Sequence, residues 1–174
     1  LHEDGLADFF DGFGGGTTRE RILAIMKDSH IGTYGVVGLI FYFLLFWQLP
    51  SRLPLSVLCA LALCCDCWSK FCASQIINYL PYARPEAESK AKVVYSGMNR
   101  GELITAFVSG ILPLLFLLPL RLWPATVVPM FVCLLLCRFL KKKLQGYTGD
   151  CCGAMFLLCE ISFYLCAVIL WKLL

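Results

Sequence analysis

Three carboxylates stand at spacings of four and three near the start of the chain. They are Asp4, Asp8 and Asp11, within the run His2-Glu3-Asp4-Gly5-Leu6-Ala7-Asp8-Phe9-Phe10-Asp11-Gly12. In a helix each residue turns by ~100°, so the three share one face within an arc of roughly 60°. Carboxylates crowded in this way repel each other unless a cation sits among them. Hard oxygen ligands suit Mg²⁺ or Mn²⁺, with substrate phosphates completing the shell. The plainer alternative is a solvated acidic helix end. Two glycines inside the run speak against an ordinary surface helix, because each weakens one by about 1 kcal/mol.

Two later stretches carry related chemistry. In Thr148-Gly149-Asp150, Thr148 or Asp150 can cap a helix. Glycine-rich backbone such as Gly149 offers N–H groups to phosphate, and Asp150 adds a carboxylate. Asp66, Lys70, Ser74 and Asn78 recur every four residues, a slanting polar stripe that must face the interior of a bundle or a wet cavity. Asp66 ahead of Lys70 is the favourable order for a helical ion pair. The pair is either self-neutralising or leaves Lys70 to contact substrate, and the stripe points towards the end where the carboxylates gather. Glu160 lies deep in an apolar run and needs a partner. His2 and His30 flank the acidic cluster as ligands, proton shuttles or plain loop histidines. No Gly-x-Ser-x-Gly, His-Glu-x-x-His or P-loop pattern is present, which counts against a hydrolytic triad and a P-loop engine.

The elements that position these groups are helices in a membrane. The 174 residues are 59% hydrophobic and 16% charged, with mean hydropathy +0.75. This composition predicts an all-α, polytopic transmembrane bundle rather than a soluble domain. A net charge of +3 is too small to argue for nucleic acid. Thr17 with Glu20 reads as a capping box that opens a helix. That helix should end near 28–32 with Gly32 as its stop, lie on the membrane surface, and return Asp28 towards the first three aspartates. Hydrophobic segments follow at 35–49 (short, at ~22 Å of rise), 53–80, 103–118, 122–140 and 151–174. Residues 1–34 thus form an Asp-rich surface motif, and 35–174 a bundle of about five segments within one domain. The 11 cysteines scatter through the apolar runs and read as packing residues. Cys64-Cys65-Asp66-Cys67 is the group that could bind a soft metal instead.

Basic residues set the orientation. Arg19, Arg21 and Lys27, then Arg84, Lys90, Lys92 and Arg100, then Arg138, Lys141, Lys142 and Lys143 fall in three stretches that alternate segments place on one side. The positive-inside rule makes that side cytoplasmic. Only Arg52, Arg121 and Lys172 fall opposite. The chain shows no initiator Met and no signal peptide, and is expected to lack its true N-terminus.

The run from His2 to Gly12 resembles the H-x-D-G-L-A-D-x-x-D-G signature of the cobalamin synthases, the adenosylcobinamide-GDP ribazoletransferases. Lys27-Asp28-Ser29-His30-Ile31-Gly32-Thr33-Tyr34-Gly35 is similar to that family's D-S-x-x-G-T-x-G stretch. Thr148-Gly149-Asp150-Cys151-Cys152-Gly153-Ala154 is similar to its T-G-D-x-x-G-A motif, and Glu160 matches a family glutamate. Lys70 stands where the family has Arg, retaining charge without a bidentate fork. Family members carry hydrophobic segments ahead of the first motif.

The resemblance implies a bacterial or archaeal enzyme of the cytoplasmic membrane, with its active site facing the cytoplasm. Its substrates would be adenosylcobinamide-GDP and α-ribazole or its 5′-phosphate, joined with release of GMP. On this reading Asp4, Asp8, Asp11 and Asp28 hold one or two Mg²⁺ (or Mn²⁺). Asp11 or Asp150 accepts the proton of the attacking hydroxyl. His2, His30, Lys70, Thr148 and Gly149 contact substrate. The other expected partner is the lipid bilayer, with a homo-oligomer left open. Two rivals remain: a CDP-alcohol phosphatidyltransferase, whose motif Asp8-x-x-Asp11-Gly12 imitates without the Ala-Arg that should follow, and an ion-coupled transporter using Asp66, Lys70 and Glu160. Most carboxylates lie in loops rather than at mid-membrane, which counts against transport.

Overall fold

The computed structural model of the chain describes residues 2–84 and 97–173. Lys90 and Lys92, part of the middle basic stretch, lie outside the described residues. Among the described residues there are eight α-helices and no strand beyond an isolated bridge between Tyr82 and Tyr147. They are α1 (His2–Gly15), α2 (Arg19–Lys27), α3 (Thr33–Gln48), α4 (Leu55–Ser74), α5 (Ile76–Tyr79), α6 (Arg100–Leu117), α7 (Val127–Lys143) and α8 (Gly149–Leu173). Five helical stretches are long and apolar enough to cross a membrane: Thr33–Arg52, Leu55–Tyr79, Arg100–Leu117, Leu120–Lys143 and Gly149–Leu173. The chain is a multi-pass membrane protein. The first span is longer than its apolar core suggests, because α3 starts at Thr33 and a 3₁₀ turn at Pro50–Arg52 extends it to 20 residues.

One helix organises the others. α8 packs against α1, α4 and α7 and buries Cys151, Ala154, Met155, Cys159, Phe163 and Ala167. Small residues allow α1 to approach it closely. A Cβ on Gly5 would stand 3.0 Å from the Asp150 carbonyl oxygen, and one on Gly153 would stand 3.2 Å from that of His2. Without a hydrophobic drive between helices in lipid, such close backbone contact is a main source of association. Exposed positions on the spans stay apolar, as Trp47, Phe116 and Phe131 show.

Two local expectations are corrected. α2 is capped by Thr18, whose hydroxyl accepts from the Arg21 N–H at 3.3 Å, rather than by a Thr17–Glu20 box. The shift by one residue follows from Gly16 still bonding back to Gly12, which delays the exit from α1. Gly32 does not stop α2, which ends at Lys27 with Asp28 as its cap; Gly32 is instead the N-cap of α3.

Three segments that are distant in sequence are stitched together at one end of the bundle. The Arg19 guanidinium donates to the Leu144 carbonyl at 2.8 Å and to that of Ala83 at 2.6 Å. Buried Arg84 donates to the Leu23 carbonyl at 2.9 Å. Main-chain bonds from Ala83 to Tyr147 and from Tyr147 to Pro81 complete the seam. At the far end the Arg121 guanidinium lies 3.2 Å from the centre of the Trp171 ring. Arg19 and Arg84, from the first two basic stretches, therefore meet the loop after α7 at one end of the bundle, with Arg121 opposite.

Candidate active site

The stitched face carries a cavity of about 320 Å³ at the junction of α1, α2 and α3, lined by Asp11, Arg21, Asp28, His30, Thr33 and Tyr34 among others. Asp11 is buried at its floor. Its carboxylate accepts the Gly32 N–H at 2.7 Å on one oxygen and the Gly35 N–H at 2.8 Å on the other. These donors belong to the first turn of α3, where N–H groups lack helical partners and a negative charge is favoured. The fit requires glycine: a Cβ on Gly32 would stand 2.5 Å from Asp11 Oδ1, and one on Gly35 would run into Oδ2. Asp11 is thus held rigidly by main chain rather than by a side-chain cation.

Asp28 is held differently. Its Oδ1 accepts the His30 main-chain N–H at 3.0 Å and lies 2.7 Å from His30 Nδ1. The His30 ring, helped by that N–H, holds the Asp28 carboxyl below its usual range. Both side chains are exposed. Arg21 supplies the cation of the cavity wall. Arg21, Ala24, Ile25 and Asp28 follow the i, i+3, i+4, i+7 spacing of one helical face. That periodicity was the available signal for Arg21, a cavity residue that sequence reasoning passed over.

The remaining predicted residues are distributed around α1. Asp4 is exposed and Asp8 buried on that helix, and neither lines the cavity. His2 is exposed and sets its ring edge-on to Phe156, with centroids 4.9 Å apart. Lys70 bonds Asp66 at 2.8 Å and stands 5.4 Å from the centre of that same Phe156 ring. Buried Thr148 caps α8 by accepting the Cys151 N–H at 3.4 Å, and its hydroxyl donates to Asp150 Oδ2 at 3.4 Å. A Cβ at Gly149 would meet nothing within 4 Å, so the first turn of α8 is open there. Glu160 finds its partner in Tyr42, whose hydroxyl donates to Oε2 at 3.4 Å. Cys64 and Cys65 donate to carbonyls of α6 and α8.

The structure thus brings Asp11, Asp28 and His30 to one cavity. It places His2 and Lys70 on a second surface around Phe156. Among the described residues, no three His, Cys, Asp or Glu side chains form a group that could hold a metal ion by themselves. Mg²⁺ does not require one, since it is commonly bound by one or two carboxylates, waters and substrate phosphates. The donor set of the cavity fits a cation completed by substrate.

The chain is a polytopic helix bundle with a polar cavity at one end, lined by two carboxylates and Arg21. The chain belongs to the cobalamin-5-phosphate synthase family, whose profile matches residues 1–168. It is similar to the adenosylcobinamide-GDP ribazoletransferase of Shewanella sp. strain W3-18-1, with 41% identity over 177 residues. That match covers 100% of this chain and 68% of the relative. The enzymes of the same name from Shewanella putrefaciens strain CN-32 and Shewanella amazonensis are also 41% identical, covering 100% and 99% of the chain and 68% of each relative. No solved structure matches the chain.

Proposed function

We propose that the chain is the membrane-embedded transferase that joins adenosylcobinamide-GDP to α-ribazole or its 5′-phosphate, the final assembly step of the cobalamin nucleotide loop. Family membership over residues 1–168 supports the reaction class. The single structural observation that carries the site is the cavity shared by Asp11 and Asp28. A ribose hydroxyl of the nucleoside attacks the phosphorus attached to cobinamide. The new O–P bond forms as the bond to the bridging oxygen breaks, and GMP leaves with that electron pair. Asp11 takes the hydroxyl proton, since of the two carboxylates considered for that role only Asp11 lines the cavity.

Mg²⁺ held by Asp11 and Asp28 would neutralise charge on the phosphoryl oxygens and the departing GMP. Arg21 meets the diphosphate from the α2 side, and the depressed Asp28 carboxyl stays anionic across the neutral range. The meeting of Arg19 and Arg84 with the loop after α7 at this end supports a cytoplasmic orientation in the inner membrane. The rival phosphatidyltransferase reading lacks the Ala-Arg its motif needs, and the transporter reading lacks a reason for the cavity at the helix ends.

The test uses the full-length enzyme in vesicles with adenosylcobinamide-GDP, α-ribazole and Mg²⁺, following GMP. Asp28→Asn is expected to raise the Mg²⁺ concentration needed for half-maximal GMP release. Undiminished transfer with unchanged Mg²⁺ dependence would sink the metal assignment. Turnover of a CDP-lipid in place of adenosylcobinamide-GDP would overturn the reaction.

A further inference from the structure

Beside the polar cavity lies a second, apolar one of about 520 Å³ between α1, α3 and α8. Its wall is aromatic: Phe10 and Phe13 from α1, with Tyr34, Phe41 and Tyr42 from α3. Val37 and Leu158 close the sides. Tyr34 lines both cavities, and the adjacent residues Gly14 and Gly15 line the apolar and the polar one respectively. The two spaces are therefore neighbours that meet at one ring. Glycine sets that ring's position, because a Cβ on Gly14 would run into Tyr34. A Cβ on Gly38 would likewise run into the Phe10 ring. From Tyr34 the groove follows α3 inwards to Leu45, about 16 Å along the helix.

We propose that this groove is the base subsite of the nucleoside acceptor: the apolar planar base lies between Phe10, Phe13 and Phe41, while its ribose and phosphate reach the Asp11–Asp28 cavity past Tyr34. The inference rests on the transfer reading above and adds to it where the acceptor sits. α-Ribazole joins a flat dimethylbenzimidazole ring, almost without hydrogen-bonding groups, to a polyhydroxyl sugar. A polar cavity joined to an aromatic one matches that division end for end. Ligand pockets are commonly apolar and aromatic with a few polar groups that fix orientation, and this volume lies within their usual size range. Guanine, whose edges are lined with donors and acceptors, would leave those groups unpaired in such a groove. Entry at membrane depth also suits a base of low polarity.

The experiment uses the full-length enzyme in vesicles and fills the groove with Val37→Trp, at a half-exposed site where a larger ring meets open space. KM for α-ribazole should rise about tenfold or more, while kcat and KM for adenosylcobinamide-GDP hold. Phe41→Ala should reduce the preference for α-ribazole over a ribonucleoside carrying a polar base such as adenine. Phe116→Trp, on the exposed face of α6, is the control and should change neither constant. An unchanged KM for α-ribazole in Val37→Trp overturns the proposal. A loss that is equal for both bases and varies with phospholipid chain length assigns the groove to an acyl chain and also overturns it. Equilibrium binding of labelled α-ribazole to the same vesicles separates the two readings. Binding that Val37→Trp weakens, without any GMP release by the wild-type enzyme, upholds the groove and removes the transferase reading.

Discussion

Two acidic regions of this molecule solve the same problem in opposite ways. At the α1–α3 junction, Asp11 is buried yet accepts only main-chain N–H groups, from Gly32 and Gly35. In the middle of α4, Asp66 is neutralised by Lys70 on its own helix, 2.8 Å away. The first carboxylate is positioned without being cancelled, so its remaining lone pairs can meet a cation or a proton. The second is cancelled by a formal charge and has little left to offer a ligand. Charges inside a span must be compensated locally, whereas a helix N-terminus supplies partial positive charge without adding a cation. The proposed site is accordingly the one at the helix ends.

The strongest way to break this contrast is to remove Asp11. Asp11→Ala in the full-length enzyme should lower GMP release by about 10³-fold, as loss of a central electrostatic group does, while the protein still inserts and purifies as a helical membrane protein by circular dichroism. Activity within a few-fold of wild type would place the chemistry elsewhere. Gly35→Ala is expected to cost about 10²-fold, because its Cβ pushes on Asp11 and a displacement of about 1 Å is enough for that loss. Its effect should fall on kcat more than on KM.

The mid-membrane pair is predicted to respond in stability first. Asp66→Asn leaves Lys70 uncompensated and should lower Tm in detergent, while Asp66→Leu with Lys70→Met should restore it. If the double variant is stable but transfers poorly, Lys70 contacts substrate, and the contrast between the two regions narrows.

The smallest effect concerns Asp28. His30 holds its carboxyl below the usual range, so its contribution to folding is complete above the ordinary carboxylate value. That contribution is lost as pH falls through the depressed value. His30→Ala should move the Asp28 titration upwards, followed by NMR of labelled aspartate, with little change in stability because the pair is exposed.

Much of this arrangement was legible before any coordinates. The i, i+4, i+7 spacing of Asp4, Asp8 and Asp11 puts them on one face only if the stretch is helical, and α1 meets that condition. The apolar runs marked all five spans, because a backbone in lipid has few choices other than a helix. The pairing of Asp66 with Lys70 followed from four-residue spacing alone. Glu160 announced that it needed a partner, but Tyr42 lies 118 residues away and no local pattern names it. Arg19 was equally opaque, since its acceptors are carbonyls 64 and 125 residues distant and any residue carries one. The caps slipped for a related reason: Thr17 and Thr18 are chemically equivalent, and the packed end of α1 decided between them.

By itself, then, the sequence determined the five spans, the ion pair on α4 and the reaction class implied by three motifs. Those are properties of neighbours along a chain and of composition measured against lipid. Only the tertiary structure decided that Asp11 and Asp28 share a cavity to which Asp4 and Asp8 contribute no lining. It also decided that Gly32 and Gly35 form a cradle and that an aromatic groove opens beside the polar one. Those relations depend on how helices cross, which is set by close backbone contacts such as Gly5 against Asp150 and Gly153 against His2.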